Sequence, residues 1–406
     1  MIDLVDQARA EIDGVELRGL ARALVRARSE NPAGSTAEAC SIVADTLAAG
    51  GFAVERFEPE PGHVSVVASY DFPEAGRTLL LNGHVDVVPA AADGWSRDPW
   101  AAEIDGDRLY GRGSLDMKGP VAALVLAARG VVDARLPLRG RLVVAAVADE
   151  EAGGRYGMGA LVTAGTVDAD AAVIAEPGDG GVVIAHRGMC FVQLTTRGRS
   201  VHASIAHKGV NAVESMVEAL RACRTLELRH TPHPLLGAPS IVMGTTIEGG
   251  QTVNVVPDLC RATLDVRSVP GMRDEEVRED LRRHFDATLP AQQRPEVEIL
   301  MWGEAGATDP NAEIVVLAAE AYAHEFGRQP ELRAMPAATD GWWLTNRAGI
   351  PTVMGLAPGA IEQCHVVDES IDLGELERYA RIYAHVVAAY LRPDRADGGA
   401  GVREAD

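Results

Sequence analysis

TLLLNGHVD, residues 78–86, is the stretch on which both the fold and the chemistry depend. It runs through three leucines and ends on His84 and Asp86, which are separated by one residue. A short, continuously apolar run is typical of a strand buried on both faces of a parallel sheet. Charged groups directly after such a strand are costly unless they are solvated, paired or bound to metal. The stretch therefore predicts a functional site at the end of a buried strand.

Segments with strand and helix patterns alternate around this stretch. The predicted strands are 63–70, 78–83, 141–148 and 171–176, and the predicted helices are 14–29, 35–51, 311–327 and 373–392. Such alternation is typical of an α/β domain in which helices sandwich a mainly parallel sheet.

The pattern of predicted strands and helices changes between about residues 188 and 300. Predicted strands at 190–198, 240–250 and 259–268 alternate like half-exposed strands, and helices are predicted at 209–228 and 273–285. We therefore predict an inserted α+β domain at 187–297. It would interrupt a catalytic domain at 1–186 and 298–392, and the tail 393–406 is predicted to be disordered.

Composition and charge exclude several classes of protein. The chain has 406 residues and 47% hydrophobic composition, which favours a globular protein of two domains. Because the start lacks a signal-peptide pattern and no apolar run reaches spanning length, we expect a soluble cytoplasmic protein without membrane association. Five scattered cysteines without a CxxC pair argue against disulfides or a cysteine zinc site. A net charge of −21 argues against nucleic-acid binding.

Further metal-ligand residue types follow other predicted strands. Asp149, Glu150 and Glu151 come after 141–148, Glu176 ends 171–176, and His365 comes after 351–356 and a loop. Asp116 lies in the loop GRGSLDMKG (111–119), just before an Ala-rich helix. Taken alone, each of these residues could be a packed histidine or a solvated carboxylate. So many of them at strand ends cannot all be explained in that way. Two histidines and three carboxylates suit two zinc-like ions, with Asp116 bridging them.

The roles within this set follow from its spacing. Asp86 is two residues beyond His84 and is expected to orient the ring by accepting its second N–H, without binding metal. Neighbours on an extended segment point in opposite directions, so one residue of the pair Glu150 and Glu151 should bind metal. The other should act as a general base.

Segments along nearly the whole chain resemble the metallopeptidase M20 family, which includes acetylornithine deacetylase, succinyl-diaminopimelate desuccinylase and glutamate carboxypeptidase. The matching segments are NGHVDVVP, GRGSLDMKG, ADEEAGG, AEP, GRSVHAS, GVNAV, TVNVVPDLCRATLDVRSVP and APGAIEQCHVVDE. The resemblance implies a zinc-peptidase-like catalytic domain with an inserted lid and dimerisation domain.

The resemblance also implies roles for individual residues. The metal ligands would be His84, Asp116, Glu151, Glu176 and His365. They would hold two divalent ions, zinc in the first place with cobalt or manganese as alternatives. Asp116 would bridge the ions and precede a cis peptide bond to Met117, and Glu150 would be the general base.

In the inserted domain the resemblance implies three further site residues. His202 would stabilise the oxyanion, often in the active site of the partner subunit of a homodimer paired through the lid domain. Asn254 and Arg267 would grip a substrate carboxylate. The alternative for His202 is a histidine that caps the turn before the predicted helix.

The sequence departs from the family near the substrate side, where Ala206 replaces a common proline and Trp342 and Trp343 are consecutive. Core packing and a wall of the substrate site are equally good explanations for these two tryptophans. For Cys364, a buried spectator is favoured over a thiol near metal. For the histidines His186 and His207, packing or surface positions are favoured over substrate contact. GRGSLDMKG lacks the GxxxxGK[ST] spacing of a phosphate loop, so nucleotide binding is not expected.

The predicted function is a two-metal amidohydrolase that removes the acyl group of an N-acyl amino acid or a related small compound with a carboxylate. Glu176, where some family members carry aspartate, resembles the deacylase and glutamate carboxypeptidase side of the family. The alternative is a dipeptidase or carboxypeptidase of the same family. A metal-binding module without catalysis is disfavoured, because it has no use for a base such as Glu150.

Overall fold

The structure is a computed structural model that describes residues 4–32, 34–91 and 93–393. It divides into two compact units. The first contains the described residues up to Ile184, Thr308–Met335 and the described residues from Thr339 onward; the second contains Ala185–Ala307 and Pro336–Ala338. The tail that was predicted to be disordered lies, from residue 394, outside the described residues.

The α-helices of the described residues are α1 (Leu4–Ala10), α2 (Gly14–Arg26), α3 (Ala37–Ala49), α4 (Lys118–Asp133), α5 (Met158–Thr163), α6 (Ala212–Ala222), α7 (Asp274–Thr288), α8 (Glu313–Phe326) and α9 (Leu373–Tyr390). Asp13, Asn211 and Asp372 cap α2, α6 and α9 by accepting hydrogen bonds from backbone N–H groups of the first turn. The Ala- and Val-rich helix α4 is buried around nearly its whole circumference, as its apolar sequence requires.

The strands of the described residues are β1 (Ala53–Phe57), β2 (Ser65–Asp71), β3 (Glu74–His84), β4 (Glu103–Asp105), β5 (Arg108–Tyr110), β6 (Arg139–Val147), β7 (Ala171–Ile174), β8 (Val182–His186), β9 (Met189–Arg197), β10 (Ser240–Gly249), β11 (Leu259–Arg267), β12 (Glu296–Gly303), β13 (Gly306–Ala307), β14 (Leu332–Met335), β15 (Thr352–Val353) and β16 (Ser370–Asp372).

The first unit is built on a six-stranded sheet in the order β1-β2-β6-β3-β7-β15. Strands β6, β3, β7 and β15 are parallel neighbours, whereas β1 and β2 add an antiparallel edge. Leu79, Leu80 and Leu81 of β3 are fully buried, and because successive side chains point to opposite faces, both faces of the sheet are covered there. The predicted α/β class is confirmed.

Parallel pairing places three strand ends at one edge of this sheet. His84 at the end of β3 is paired with Val147 at the end of β6, and Asn82 is paired with Ile174 at the end of β7. The residues that follow β6, β3 and β7 therefore emerge side by side, which is where ligands bind in sheets of this type.

The second unit contains an antiparallel sheet in the order β10-β11-β9-β12, against which α6 and α7 pack. Burial alternates along β9 and β11, so one face of the sheet is apolar. The unit continues beyond the predicted boundary at 297, because β12 pairs with β9. A register irregularity between Ile299 and Met301 breaks the alternation of β12, which explains why the strand was not predicted.

Candidate metal and catalytic site

His84, at the buried end of β3, faces three carboxylates. Its Nδ1 is 2.9 Å from the backbone oxygen of Asp86; because a carbonyl only accepts, Nδ1 carries the proton in the neutral ring. Nε2 lies 3.1 Å from Asp116 Oδ1, 3.6 Å from Glu176 Oε1 and 3.9 Å from Glu150 Oε2. In the neutral ring the Nε2 lone pair therefore faces a cluster of acceptors, an arrangement that suits a cation, whereas in the protonated ring Nε2–H donates to Asp116 Oδ1.

The carboxylate of Asp116 lies between two imidazoles. Its Oδ1 faces His84, and its Oδ2 lies 3.2 Å from Nε2 of His365, which is also 3.1 Å from Glu151 Oε1. Burial alone would raise the pKa of Asp116, but hydrogen bonds from His365 and His84 hold it well below its usual range. Hydrogen bonds to Asp116 and Glu151 raise the pKa of His365 to about 10. The peptide bond from Asp116 to Met117 is cis, as expected.

Two overlapping groups of potential ligands meet at His84. One includes Glu150 and Glu176, and the other includes Asp116 and Glu151; within each group the ligand atoms lie within 4.8 Å of one another. Burial and the charge of Glu176 raise the pKa of Glu150 well above its usual range. Burial and the charge of Asp116 do the same to Glu176. Crowded buried carboxylates with imidazoles are the donor set of zinc and similar divalent ions, so these residues fit a metal centre.

Asp86 differs from the prediction in the atom that orients His84. The backbone oxygen of Asp86 accepts from the ring, whereas its carboxylate Oδ1 is 3.6 Å from Nδ1. The carboxylate instead accepts hydrogen bonds from the backbone N–H of Glu150 and Glu151, both at 3.2 Å, and from Asn31 Nδ2 at 3.0 Å. The turn after β6 exposes these N–H groups, so Asp86 holds the imidazole with one group and the glutamate pair with another.

Asn31 and Asp149 support this turn. Asp149 adopts a left-handed backbone with a φ of 69°, which is uncommon for a residue other than glycine. Its carboxylate accepts from Tyr156 N at 2.8 Å and from Asn31 Nδ2 at 3.3 Å. Asn31 thus bridges the carboxylates of Asp149 and Asp86. Sequence reasoning missed Asn31, because it is distant in sequence from both partners.

Asp340 is a further buried carboxyl group that sequence reasoning had not assigned. It accepts a hydrogen bond from Asn82 Nδ2 at 3.3 Å, and burial is the main reason that its pKa rises to about 7. Its charge also contributes to raising the pKa of Glu150. The segment that carries it, TDGWW, resembles a Thr-Asp segment of the family, but Asp340 was given no role.

The two tryptophans pack inside the first unit. Trp342 is buried, and Trp343 stacks on it with ring centroids 3.7 Å apart. The indole of Trp343 donates to the carbonyl of Gly153 at 3.1 Å, just after the Glu150–Ala152 turn. Gly159 lies so close to this ring that an added Cβ would be 2.5 Å away. Of the two readings, core packing is therefore the one that the contacts support.

In the second unit His202 is exposed and lies beside Asn254. Ala203 N donates to the backbone oxygen of Asn254 at 2.9 Å. Nδ1 of His202 accepts from Ser204 N at 3.2 Å, so the ring caps the short turn Ala203–Lys208 and not α6, which is capped by Asn211. Because Nδ1 accepts, the neutral ring carries its proton on Nε2.

Arg267, also in the second unit, ends β11. Its Nη2 donates to Asp265 Oδ2 at 2.9 Å, and its side chain is 29% exposed. The charge of the guanidinium is thus partly neutralised by Asp265, but the side chain remains accessible to solvent.

The remaining candidates occupy different environments. His186 is fully buried, and His207 is exposed. Cys364 is buried, and burial raises the pKa of its thiol. All five cysteines are free and buried.

Comparison with known proteins identifies the family. The model of peptidase family M20/M25/M40 matches residues 80–389. The chain belongs to this family. It is therefore a metal-dependent hydrolase of linear amides or peptide bonds, as the sequence predicted.

Individual proteins resemble nearly the whole chain. Succinyl-diaminopimelate desuccinylase 2 of Ruegeria sp. (strain TM1040) is 30% identical over 403 residues, with 95% of this chain and 97% of that protein covered. The N-formyl-4-amino-5-aminomethyl-2-methylpyrimidine deformylase of Halalkalibacterium halodurans is 27% identical, with 94% and 96% covered. The M20 family metallo-carboxypeptidase of Sulfolobus solfataricus shares the fold with a TM-score of 0.76 at 19% identity, covering 93% of this chain and 99% of that one. Among the described residues, none of the helices is both long and apolar enough to cross a membrane.

Proposed function

We propose that this M20 hydrolase is a two-metal amidohydrolase that removes the acyl group from an N-acyl amino acid or a related small compound with a carboxylate. The observation that carries the proposal is Asp116, whose two oxygens face two different histidines. A carboxylate in this position suits a bridge between two ions. The names of two relatives, a desuccinylase and a deformylase, support deacylation as the reaction.

The metal-holding residues in this proposal are His84, Asp116, Glu151, Glu176 and His365, with zinc as the first candidate and cobalt or manganese as alternatives. Asp116 would be shared between the two ions. When bound, the ions activate water and polarise the amide carbonyl.

Glu150 is the proposed general base. It takes a proton from the attacking water and passes it to the leaving amine. Glu150 lies near His84 and Glu176 in the structure, so distance alone does not separate a base from a ligand. The assignment rests on the family resemblance, because Asp86 accepts hydrogen bonds equally from the backbone N–H of Glu150 and of Glu151.

Residues of the second unit complete the proposed site. His202 would donate from Nε2 to the oxyanion, a role supported by Ser204, whose N–H occupies Nδ1. Arg267, with Asn254, would hold the substrate carboxylate, since an arginine fork can form two parallel hydrogen bonds with it.

A homodimer formed through the second unit is part of the proposal. Strand β10 is an edge of its sheet and carries Val242 and Ile247, which are 55% and 51% exposed. The exposed Val217 lies on α6, which packs beside β10. An exposed apolar edge strand is a template for pairing with another chain, and a second copy offers the same surface.

The runner-up is a dipeptidase or carboxypeptidase. One solved structure with the same fold is named a metallo-carboxypeptidase. One screen separates the two reactions. Metal-loaded protein is assayed against N-acetyl, N-succinyl and N-formyl amino acids and against dipeptides, with a chelator-treated sample as the control. Chelator-sensitive release of acyl groups is expected; turnover of dipeptides alone would replace the proposal with the runner-up.

A further inference from the structure

A buried ion pair joins two loops that carry proposed metal ligands. Arg112 Nη1 donates to Glu369 Oε2 at 2.5 Å, and the two side chains are 3% and 0% exposed. Arg112 belongs to the loop before Asp116, and Glu369 follows His365 by four residues.

The second oxygen of Glu369 binds the backbone next to the proposed bridging ligand. Glu369 Oε1 accepts from Leu115 N at 2.9 Å and from Asp116 N at 3.1 Å. The carboxylate is therefore hydrogen-bonded on both sides, by a guanidinium and by two amides. Few other acceptors have the two oxygens that this arrangement uses.

Local pairing explains how Glu369 reaches this position. Strand β16 pairs with β5 so that Ser370 lies opposite Tyr110. The backbone oxygen of Glu369 then accepts from Gly111 N at 2.9 Å. The register of two short strands thus holds Glu369 alongside the loop 111–116.

Charge explains why Glu369 is paired with Arg112. A glutamate buried beside the carboxylate of Asp116 adds like charge to a crowded cluster, and it is costly without a cation. Arg112 supplies that cation at a position that is not a proposed metal ligand.

We propose that Glu369, held by Arg112, is a positioning residue that fixes the backbone of Asp116 relative to the His365 loop and thereby sets metal affinity. The proposal rests on the proposed function, since it takes Asp116 as the shared ligand. Partners of metal ligands commonly change affinity by about 10- to 100-fold when they are removed.

The test compares Glu369→Gln with Glu325→Gln in the full-length chain. Glu325 is a suitable control because its side chain is only 6% exposed and is paired with arginines, Arg9 and Arg381, but none of its described hydrogen bonds is to Asp116 or its neighbours. The measurements are the zinc dissociation constant by chelator competition and hydrogen exchange of single amides in the metal-free protein. Glutamine has one oxygen, which cannot serve both the Arg112 guanidinium and the two amides, so Glu369→Gln should weaken zinc binding by about tenfold or more and speed exchange at Leu115 and Asp116. Glu325→Gln should change neither.

A double variant, Arg112→Gln with Glu369→Gln, tests the idea if the single variant fails to fold. The glutamine pair is neutral and keeps an acceptor for both amides, so it should retain slow exchange and recover most of the zinc affinity. Parent-like affinity and exchange in folded Glu369→Gln would overturn the proposal, as would lost affinity in the double variant despite slow exchange. If the parent binds no divalent metal, the proposed function fails, and the exchange measurement still decides whether Glu369 holds the Asp116 amide.

Discussion

Glu150 and Glu151 are adjacent, and one carboxylate, that of Asp86, accepts both of their backbone N–H groups. These hydrogen bonds hold the backbone of the pair, and the two side chains reach different partners. Glu151 contacts His365, whereas Glu150 lies near Glu176 and His84. The two residues are chemically identical, so the position of each side chain, and not its residue type, distinguishes them.

The first prediction separates these roles. Glu150→Ala should lower kcat by about 10²- to 10⁴-fold, because the proton acceptor is removed. Metal content, measured by atomic absorption, should stay near that of the parent. Glu151→Ala is the matched control and should lose metal. If Glu150→Ala loses metal and activity together, the two roles have been exchanged.

Arg267 provides a second test at this scale. Arg267→Lys replaces a planar fork with a single ammonium group, so KM should rise far more for free-acid substrates than for their amides. Arg261 lies on the same strand, β11, and on the same face, which makes Arg261→Lys the control. Steady-state kinetics on matched substrate pairs measure the effect. An equal rise for acids and amides would remove Arg267 from the carboxylate site.

His186 gives a pH dependence of stability. Burial lowers its pKa to about 4, below the usual 6.5, so the folded chain binds fewer protons than the unfolded chain between these values. Stability that is present above pH 6.5 is therefore lost as the pH falls through this window. From pH 7 to pH 5 the parent should lose about 2 kcal/mol more of the free energy of unfolding than His186→Gln.

Urea unfolding of the metal-free protein at both pH values measures this loss. The control is His207→Gln, which replaces an exposed histidine and should behave like the parent. An identical pH dependence in the parent and His186→Gln would contradict the assignment of His186 as a buried neutral histidine.

At the scale of elements, the site depends on contacts between segments that are distant in sequence. The turn after β6 is held by Trp343, whose indole donates to Gly153 and whose ring packs against Gly159 at the start of α5. A five-residue π-helix, Trp343–Arg347, begins at the second tryptophan of the ring pair, and such irregular helices frequently occur near functional sites.

Two glycine substitutions in helices test this packing. Gly159→Ala would place a Cβ 2.5 Å from the Trp343 ring and should lower the free energy of unfolding by about 1–3 kcal/mol. Gly19 in α2 has open space around it, so Gly19→Ala should raise the free energy by about 0.5–1 kcal/mol. Chemical denaturation measures both. A neutral Gly159→Ala would show that Trp343 does not constrain α5.

At the scale of the whole molecule, the proposed function asks residues of both units to act on one substrate. The ligand cluster belongs to the first unit, whereas His202, Asn254 and Arg267 belong to the second. The exposed edge strand β10 is the surface through which two second units are proposed to pair. The proposal that His202 acts in the partner subunit follows from the family resemblance and needs a direct test.

A mixing experiment tests whether His202 acts in the partner subunit. Glu150→Ala and His202→Ala chains, each inactive alone, should regain partial activity when mixed, because heterodimers would contain one intact composite site. Subunit exchange is monitored with differently tagged chains, and self-mixed variants are the controls. Absence of activity despite demonstrated exchange would mean that His202 serves its own chain or only caps its turn.

The sequence by itself determined the α/β class, the family and the identity of the residues that cluster at the sheet edge. Apolar strands that end in charged groups carry this information locally, since burying such groups without a function is costly. His84, Glu150, Glu151 and Glu176 were predicted from strand ends alone. Parallel pairing then brought them together.

Only the tertiary structure decided which groups support that cluster. Asn31, Arg112, Asp340 and Glu369 contact it through partners far away in sequence, and no periodicity or spacing encodes such contacts. The oxygen that orients His84 was likewise decided by the turn after β6, whose free N–H groups engage the Asp86 carboxylate. Buried polar groups must find partners, and which partners they find depends on how the whole chain packs.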